Sequence, residues 1–111
     1  MIPEPADRVL LRRRLMRRGQ DLAMKLSELL AGKDAARLVA SLGVDTVGAR
    51  PEDILRRALD DNEQLRRWLD QADPRYGACA ICGQDFTIDE LREVPWADRC
   101  RAHAGTAVAA H

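Results

Sequence analysis

Tyr76-Gly77-Ala78-Cys79-Ala80-Ile81-Cys82-Gly83, answered further along by Cys100-Arg101-Ala102-His103, sets the architecture of the chain. The two segments space metal-ligand side chains as C-x2-C and C-x2-H with seventeen residues between the pairs. Each close pair offers two ligands to one tetrahedral ion, and two such pairs separated by about 15 to 20 residues form a zinc signature. The candidate ligands of a Zn2+ cofactor are therefore Cys79, Cys82, Cys100 and His103, an ordinary Cys3His structural set. They use all three cysteines of the chain and leave none for a disulfide.

The residues between the ligands suit a loop closed by an ion. Gly83 follows Cys82 where the backbone curls over a bound sulfur, a turn that asks for the positive φ glycine takes cheaply. Pro95 stops any regular run before the second pair, and Cys100 and His103 share a face if a helical turn starts there. The loop's own apolar residues are few, chiefly Ile81, Phe86, Ile88, Leu91, Val94 and Trp96. Metal binding would supply its folding free energy, about 10 to 16 kcal/mol in isolated zinc peptides. A catalytic zinc keeps one position open for water, and a zinc deaminase would carry H-x-E with P-C-x-x-C. Four protein ligands and the absence of H-x-E point to a non-enzymatic protein with no small-molecule substrate.

These residues resemble the zinc finger of the DksA/TraR family of bacterial transcription regulators. The likeness rests on the run from Tyr76 to Gly83, on Phe86, Leu91, Pro95 and Cys100, and on a ligand at position 103. His103 stands where the family usually has Cys, Glu90 where it usually has Arg, and Phe86 where it usually has Ile. The resemblance implies a zinc-binding regulator that acts on RNA polymerase through its secondary channel, without binding DNA itself.

Composition agrees with a small helical chain. Of 111 residues, 46% are hydrophobic but only 4% aromatic and 32% charged, which favours helices with wet outer faces over a deep core. Formal net charge is zero, so the whole molecule exerts no global pull on nucleic acid. The charge is nevertheless segregated, with residues 1–33 at +4, 34–50 at 0, 51–73 at −3 and 74–111 at −1. The start lacks the apolar run of a secretory signal, and no stretch is apolar enough to span a membrane. Zinc-spaced cysteines suit a reducing compartment, so the expected location is cytoplasmic.

Two amphipathic helices precede the finger. From about Ala6 to Ala31, Leu11, Leu15, Leu22, Leu26 and Leu29 repeat at helical spacing, with Gly32 as a stop. From Pro51 to about Ala72 a second stripe runs through Ile54 or Leu55, Ala58, Asn62, Leu65, Leu69 and Ala72, and Asp73-Pro74 ends it. Asp34 can cap a short helix through Leu42. The expected fold is mainly α: residues 1–73 as an antiparallel helical hairpin, a short coiled coil with a short helix or loop at 33–50, then residues 74–111 as the finger with a short tail.

Facing stripes pair Leu11 with Leu69, Leu15 with Leu65, Leu22 with Ala58 and Leu26 with Ile54. Their polar exceptions, Arg18 and Asn62, fall opposite each other. They either meet across the seam and fix register, or Arg18 snorkels past its edge. The arginines from Arg12 to Arg18 read as a solvated helix face, with direct DNA binding as the weaker reading.

The family resemblance extends to this hairpin, whose tip in DksA-like proteins carries acidic residues that act near the polymerase active site. The turn Asp45-Thr46-Val47-Gly48-Ala49-Arg50 is similar to the family's D-x-V-D-x-A tip, matched at Asp45 and Val47, with Gly48 in place of the second Asp. Asp45 is then either a partner-binding tip residue or an ordinary turn residue. The alternative function is a zinc-stabilised protein-interaction adaptor that keeps the scaffold without regulating polymerase.

Overall fold

A computed structural model describes residues 2–40 and 50–103. The first long helix, α1, spans Pro5–Leu30, with Pro5 in its first turn where a missing N–H costs nothing. It stops at Gly32, which takes φ 90° while its N–H reaches the Leu29 carbonyl at 3.0 Å. The short α2, Ala35–Ala40, starts on the Asp34 carboxylate, which accepts from the Ala36 N–H at 3.1 Å. Asp34 is thus the expected cap, whereas Leu42 and the tip residues Asp45, Val47 and Gly48 lie outside the described residues.

The second long helix, α3, runs Pro51–Asp70 with Pro51, Glu52 and Asp53 in its first turn, the charge sign that suits the N-terminal end of a helix dipole. It closes with Ala72 at φ 52°, a left-handed position usually given to glycine, as the Asp73 N–H reaches back to the Trp68 carbonyl at 2.8 Å.

The two long helices pack together as an antiparallel hairpin, as their stripes require. Leu11 and Leu15 join Leu65 and Leu69 at one end. At the other, Leu22 joins Leu55, with Leu26, Ile54 and Ala58 against them and Val39 of α2 as a lid.

Leu11, Leu15, Leu65 and Leu69 share one continuous core with Tyr76, Cys79, Phe86, Leu91 and Cys100. The finger therefore sits on the open end of the hairpin and borrows its apolar surface. On the surface Arg92 of the finger holds Asp7 of α1 at 2.8 Å, while Arg12 on Asp70 at 3.1 Å joins the two hairpin helices at the same end.

Arg18 and Asn62 part company at the seam. Asn62 is 3% exposed and donates from Nδ2 to the main-chain carbonyl of Leu15 at 2.9 Å. Arg18 turns out of the seam and lays its guanidinium over the Trp96 ring, 4.5 Å from the centroid. The reason is room: Gly19 faces Asn62 so closely that a Cβ there would lie 3.2 Å from Nδ2. The amide meets bare backbone, and the longer arginine keeps its charge at the edge.

Candidate metal centre

Two turns bring the ligands together. In the first, the Cys79 N–H donates to the Gln84 carbonyl at 2.9 Å and the Phe86 N–H to the Gly77 carbonyl at 2.8 Å, closing a tight antiparallel bridge at Ala78 and Asp85. Gly77 and Gly83 take φ 80° and 76°, so the expected positive φ after Cys82 is present. The Gly83 N–H returns to the Cys79 carbonyl at 2.9 Å, and the Ile81 N–H points at the Cys79 sulfur at 3.4 Å. In the second turn, Arg101–His103 forms a single 3-10 turn in which the His103 N–H donates to the Cys100 carbonyl at 2.9 Å. One bond ties the two turns to each other, from the Ala80 N–H to the Asp98 carbonyl at 2.8 Å.

The ligand atoms of Cys79, Cys82, Cys100 and His103 all lie within 4.8 Å of one another. Cys82 and Cys100 place their sulfurs 3.7 Å apart, and His103 Nδ1 lies 3.7 Å from the Cys79 sulfur and 3.1 Å from that of Cys100. Tetrahedral angles with metal–sulfur bonds of about 2.3 Å and metal–nitrogen bonds of about 2.0 Å require separations near 3.8 Å for two sulfurs and about 3.5 Å for sulfur and nitrogen. The observed spacings straddle those values, so the four side chains are positioned to hold one metal ion. His103 presents Nδ1 to the cluster.

Electrostatics prepares the thiols for deprotonation unequally. Burial works against the Cys79 thiolate, but the main-chain N–H groups of Cys100, Cys82 and Ile81 outweigh it and bring the thiol down to about 5. Cys82 is pushed up: the Gln84 N–H favours its thiolate, yet desolvation and the neighbouring sulfurs of Cys100 and Cys79 prevail. A metal ion, by ligating all three sulfurs, would remove that competition.

Between the pairs lies α4, Ile88–Glu93, a helix not among the elements expected above, which ends before Pro95. Its signal was the Thr87-x-x-Glu90 spacing of a capping box. The Glu90 N–H donates to Thr87 Oγ1 at 3.2 Å while the Thr87 N–H donates to the Glu90 carboxylate at 3.0 Å. Glu90 is thus engaged inside its own helix cap. Of the apolar loop residues, Phe86 and Leu91 are buried, whereas Ile81, Val94 and Trp96 keep between 36% and 42% of their surface exposed.

Tyr76 is a second anchor that the ligand spacing does not reveal. It is fully buried, its hydroxyl donates to the Pro95 carbonyl at 2.8 Å, and burial pushes its phenol above the ordinary range. The bond clamps the start of the finger to the turn that leads into the second ligand pair.

No protein-family model matches this chain, and searches of curated proteins and of solved structures returned no similar protein. No helix among the described residues is long and apolar enough to cross a membrane.

Proposed function

We propose that the protein is a zinc-binding transcription regulator resembling DksA/TraR, which binds RNA polymerase and not DNA. The observation that carries this reading is the union of the metal cluster with the hairpin: Cys79 and Cys100 belong to the same core as Leu11, Leu15, Leu65 and Leu69. A bound zinc would fix the finger, and through that core the direction in which the hairpin projects; the proposed partner-binding residues Asp45 and Val47 lie outside the described residues. Four protein ligands around the ion suit a structural role better than a catalytic one, in keeping with a non-enzymatic regulator.

Native mass spectrometry should find one zinc per chain. Purified RNA polymerase should retain the zinc-loaded protein, and a polymerase whose secondary channel is blocked should not. Zinc-loaded protein that passes over polymerase without retention would remove the regulator reading while leaving the metal centre intact.

A second reading, a zinc-stabilised interaction adaptor, is favoured by Glu90. Its carboxylate is committed to the Thr87 N–H, and the sequence has Gly48 where the family's second tip Asp would stand. Restoring Asp at position 48 creates a transcriptional effect under the first reading and none under the second.

A further inference from the structure

The outward side of α1, turned away from α3, carries a second stripe that the hairpin does not use. Val9, Leu10 and Met16 are 59%, 40% and 46% exposed, and Met24 continues the line at 63%. Val9 and Met16 are seven residues apart and Met24 eight further on, so the apolar line climbs the helix at close to two turns per step. Arg13 and Arg17 lie on the same side of the helix, between Val9 and Leu10 around its axis, and with Arg14 they form no ion pair among the described residues. The contrast with other arginines is sharp: Arg56 holds Glu52 at 2.7 Å, Arg75 holds Asp73 at 2.7 Å and Arg92 holds Asp7 at 2.8 Å. Arg37 and Arg101 also show no ion pair among the described residues, but Arg13 and Arg17 combine that state with exposed methionine and valine on the same helix.

We propose that this face docks an acidic amphipathic helix from another protein, whose apolar residues cover Val9, Leu10 and Met16 while its carboxylates pair with Arg13 and Arg17. Charge decides the occupant, since three unpaired guanidiniums call for carboxylates and Arg–carboxylate pairs gain geometry as well as energy. The apolar line decides its form, because an i, i+7 stripe is what the apolar side of a neighbouring helix covers, and Met adapts its shape to such a partner. A phosphate backbone would leave Val9, Leu10 and Met16 without apolar contact. The chain's own α3 is not the occupant, even from a second copy: its apolar residues Leu55, Leu65 and Leu69 are buried in the hairpin, and its exposed side, which mixes Asp53, Asp60 and Asp61 with Arg56 and Arg57, presents no large apolar residue to cover Val9, Leu10 and Met16. The proposal stands whether or not the protein acts on polymerase.

The test uses the zinc-loaded full chain and a fluorescent synthetic helical peptide with leucine at helical spacing and glutamate on both flanks. The expected result is saturable anisotropy that weakens with salt, with no binding of the same peptide carrying lysine for glutamate. The double variant Arg13→Glu/Arg17→Glu and the single variant Met16→Asp should each raise Kd at least about ten-fold, the equivalent of about 1.4 kcal/mol. Thermal melts and metal content should stay unchanged, because these side chains hold nothing in the fold. Equal binding of acidic and basic peptides, or variants that bind as the parent does, would overturn the proposal. So would phosphatidylserine vesicles or duplex DNA bound more tightly than the peptide through the same arginines. Self-association abolished by Met16→Asp would equally sink it, since a second copy would then cover the face.

Discussion

Asn62 donates its side-chain amide to the carbonyl of Leu15 across the hairpin seam at 2.9 Å, so a buried polar residue of α3 is anchored to the backbone of α1. The partner atom belongs to every residue type, but the access does not. Gly19, one turn beyond Leu15, leaves the space that the amide fills. The two positions should therefore be coupled. Gly19→Ala gains about 1 kcal/mol of helix propensity but drives a methyl into the amide at 3.2 Å. Alone it should be neutral or destabilising, and in an Asn62→Ala background it should stabilise by about 1 kcal/mol. Chemical denaturation of the four variants gives the coupling, and strictly additive effects would contradict the contact.

Asn62 also bears on register. Its Oδ1 is buried with no partner among the described residues, so Asn62→Leu removes an unsatisfied acceptor along with the bond to Leu15 and should keep stability within about 1 kcal/mol. What it should lose is uniqueness, visible as a second set of amide resonances or a change of oligomeric state. A single unchanged spectrum would show that the apolar stripes alone fix the alignment.

The ligand geometry makes a graded prediction at position 103. His103→Cys keeps a donor in the fourth place and should retain one equivalent of metal, whereas His103→Ala should weaken binding by more than the about 10- to 100-fold typical of disturbing an outer shell. Competition with a chromophoric chelator measures both. Chelation should also melt the finger, read from the near-ultraviolet signal of Trp96, because Cys79 and Cys100 hold part of the shared core.

Acid should undo the site. Without metal, the folded chain holds the Cys79 thiol down to about 5, against about 8.5 for an unfolded cysteine. A depressed value contributes stability that is complete above the unfolded pKa and disappears as pH falls through the folded one, here between about 8.5 and 5. Cys82 is raised and runs the other way, its contribution being lost as pH climbs past the unfolded value. Metal binding demands thiolates and a neutral His103, so protons compete at every ligand. Metal should dissociate cooperatively as pH is lowered from about 7 towards 5, and full retention near pH 4 would contradict a thiolate-rich site.

Tyr76→Phe should cost about 1 to 2 kcal/mol, because it strips the buried Pro95 carbonyl of its donor without opening a cavity. The loss should appear in thermal stability while metal stoichiometry stays at one. A variant that melts with the parent would mean that the carbonyl finds another donor.

The finger's ligands were legible because metal binding depends on residue type and local spacing, both of which the chain states outright. The two long helices were legible for a similar reason, since the spacing of leucines sets which faces can be buried. The short helix at Ile88–Glu93 was also written in the chain, as Thr87-x-x-Glu90, but six residues are too few for a helical periodicity to show. Arg18 went differently. Its place in the stripe gave two outcomes, and the one it takes, at the edge of the seam over the Trp96 ring, involves a side chain that the finger contributes from far along the chain.

By itself the sequence determined which four side chains gather as candidate metal ligands, the boundaries of the two long helices to within a residue or two and the antiparallel pairing, because each follows from periodicity or from chemistry within a few residues. Tertiary structure alone decided that Asn62 would meet a carbonyl and not Arg18, that Tyr76 would clamp Pro95, and that finger and hairpin would share one core. Those outcomes depend on which surfaces meet and how much room a glycine leaves between them, and a list of neighbours along the chain does not hold that information.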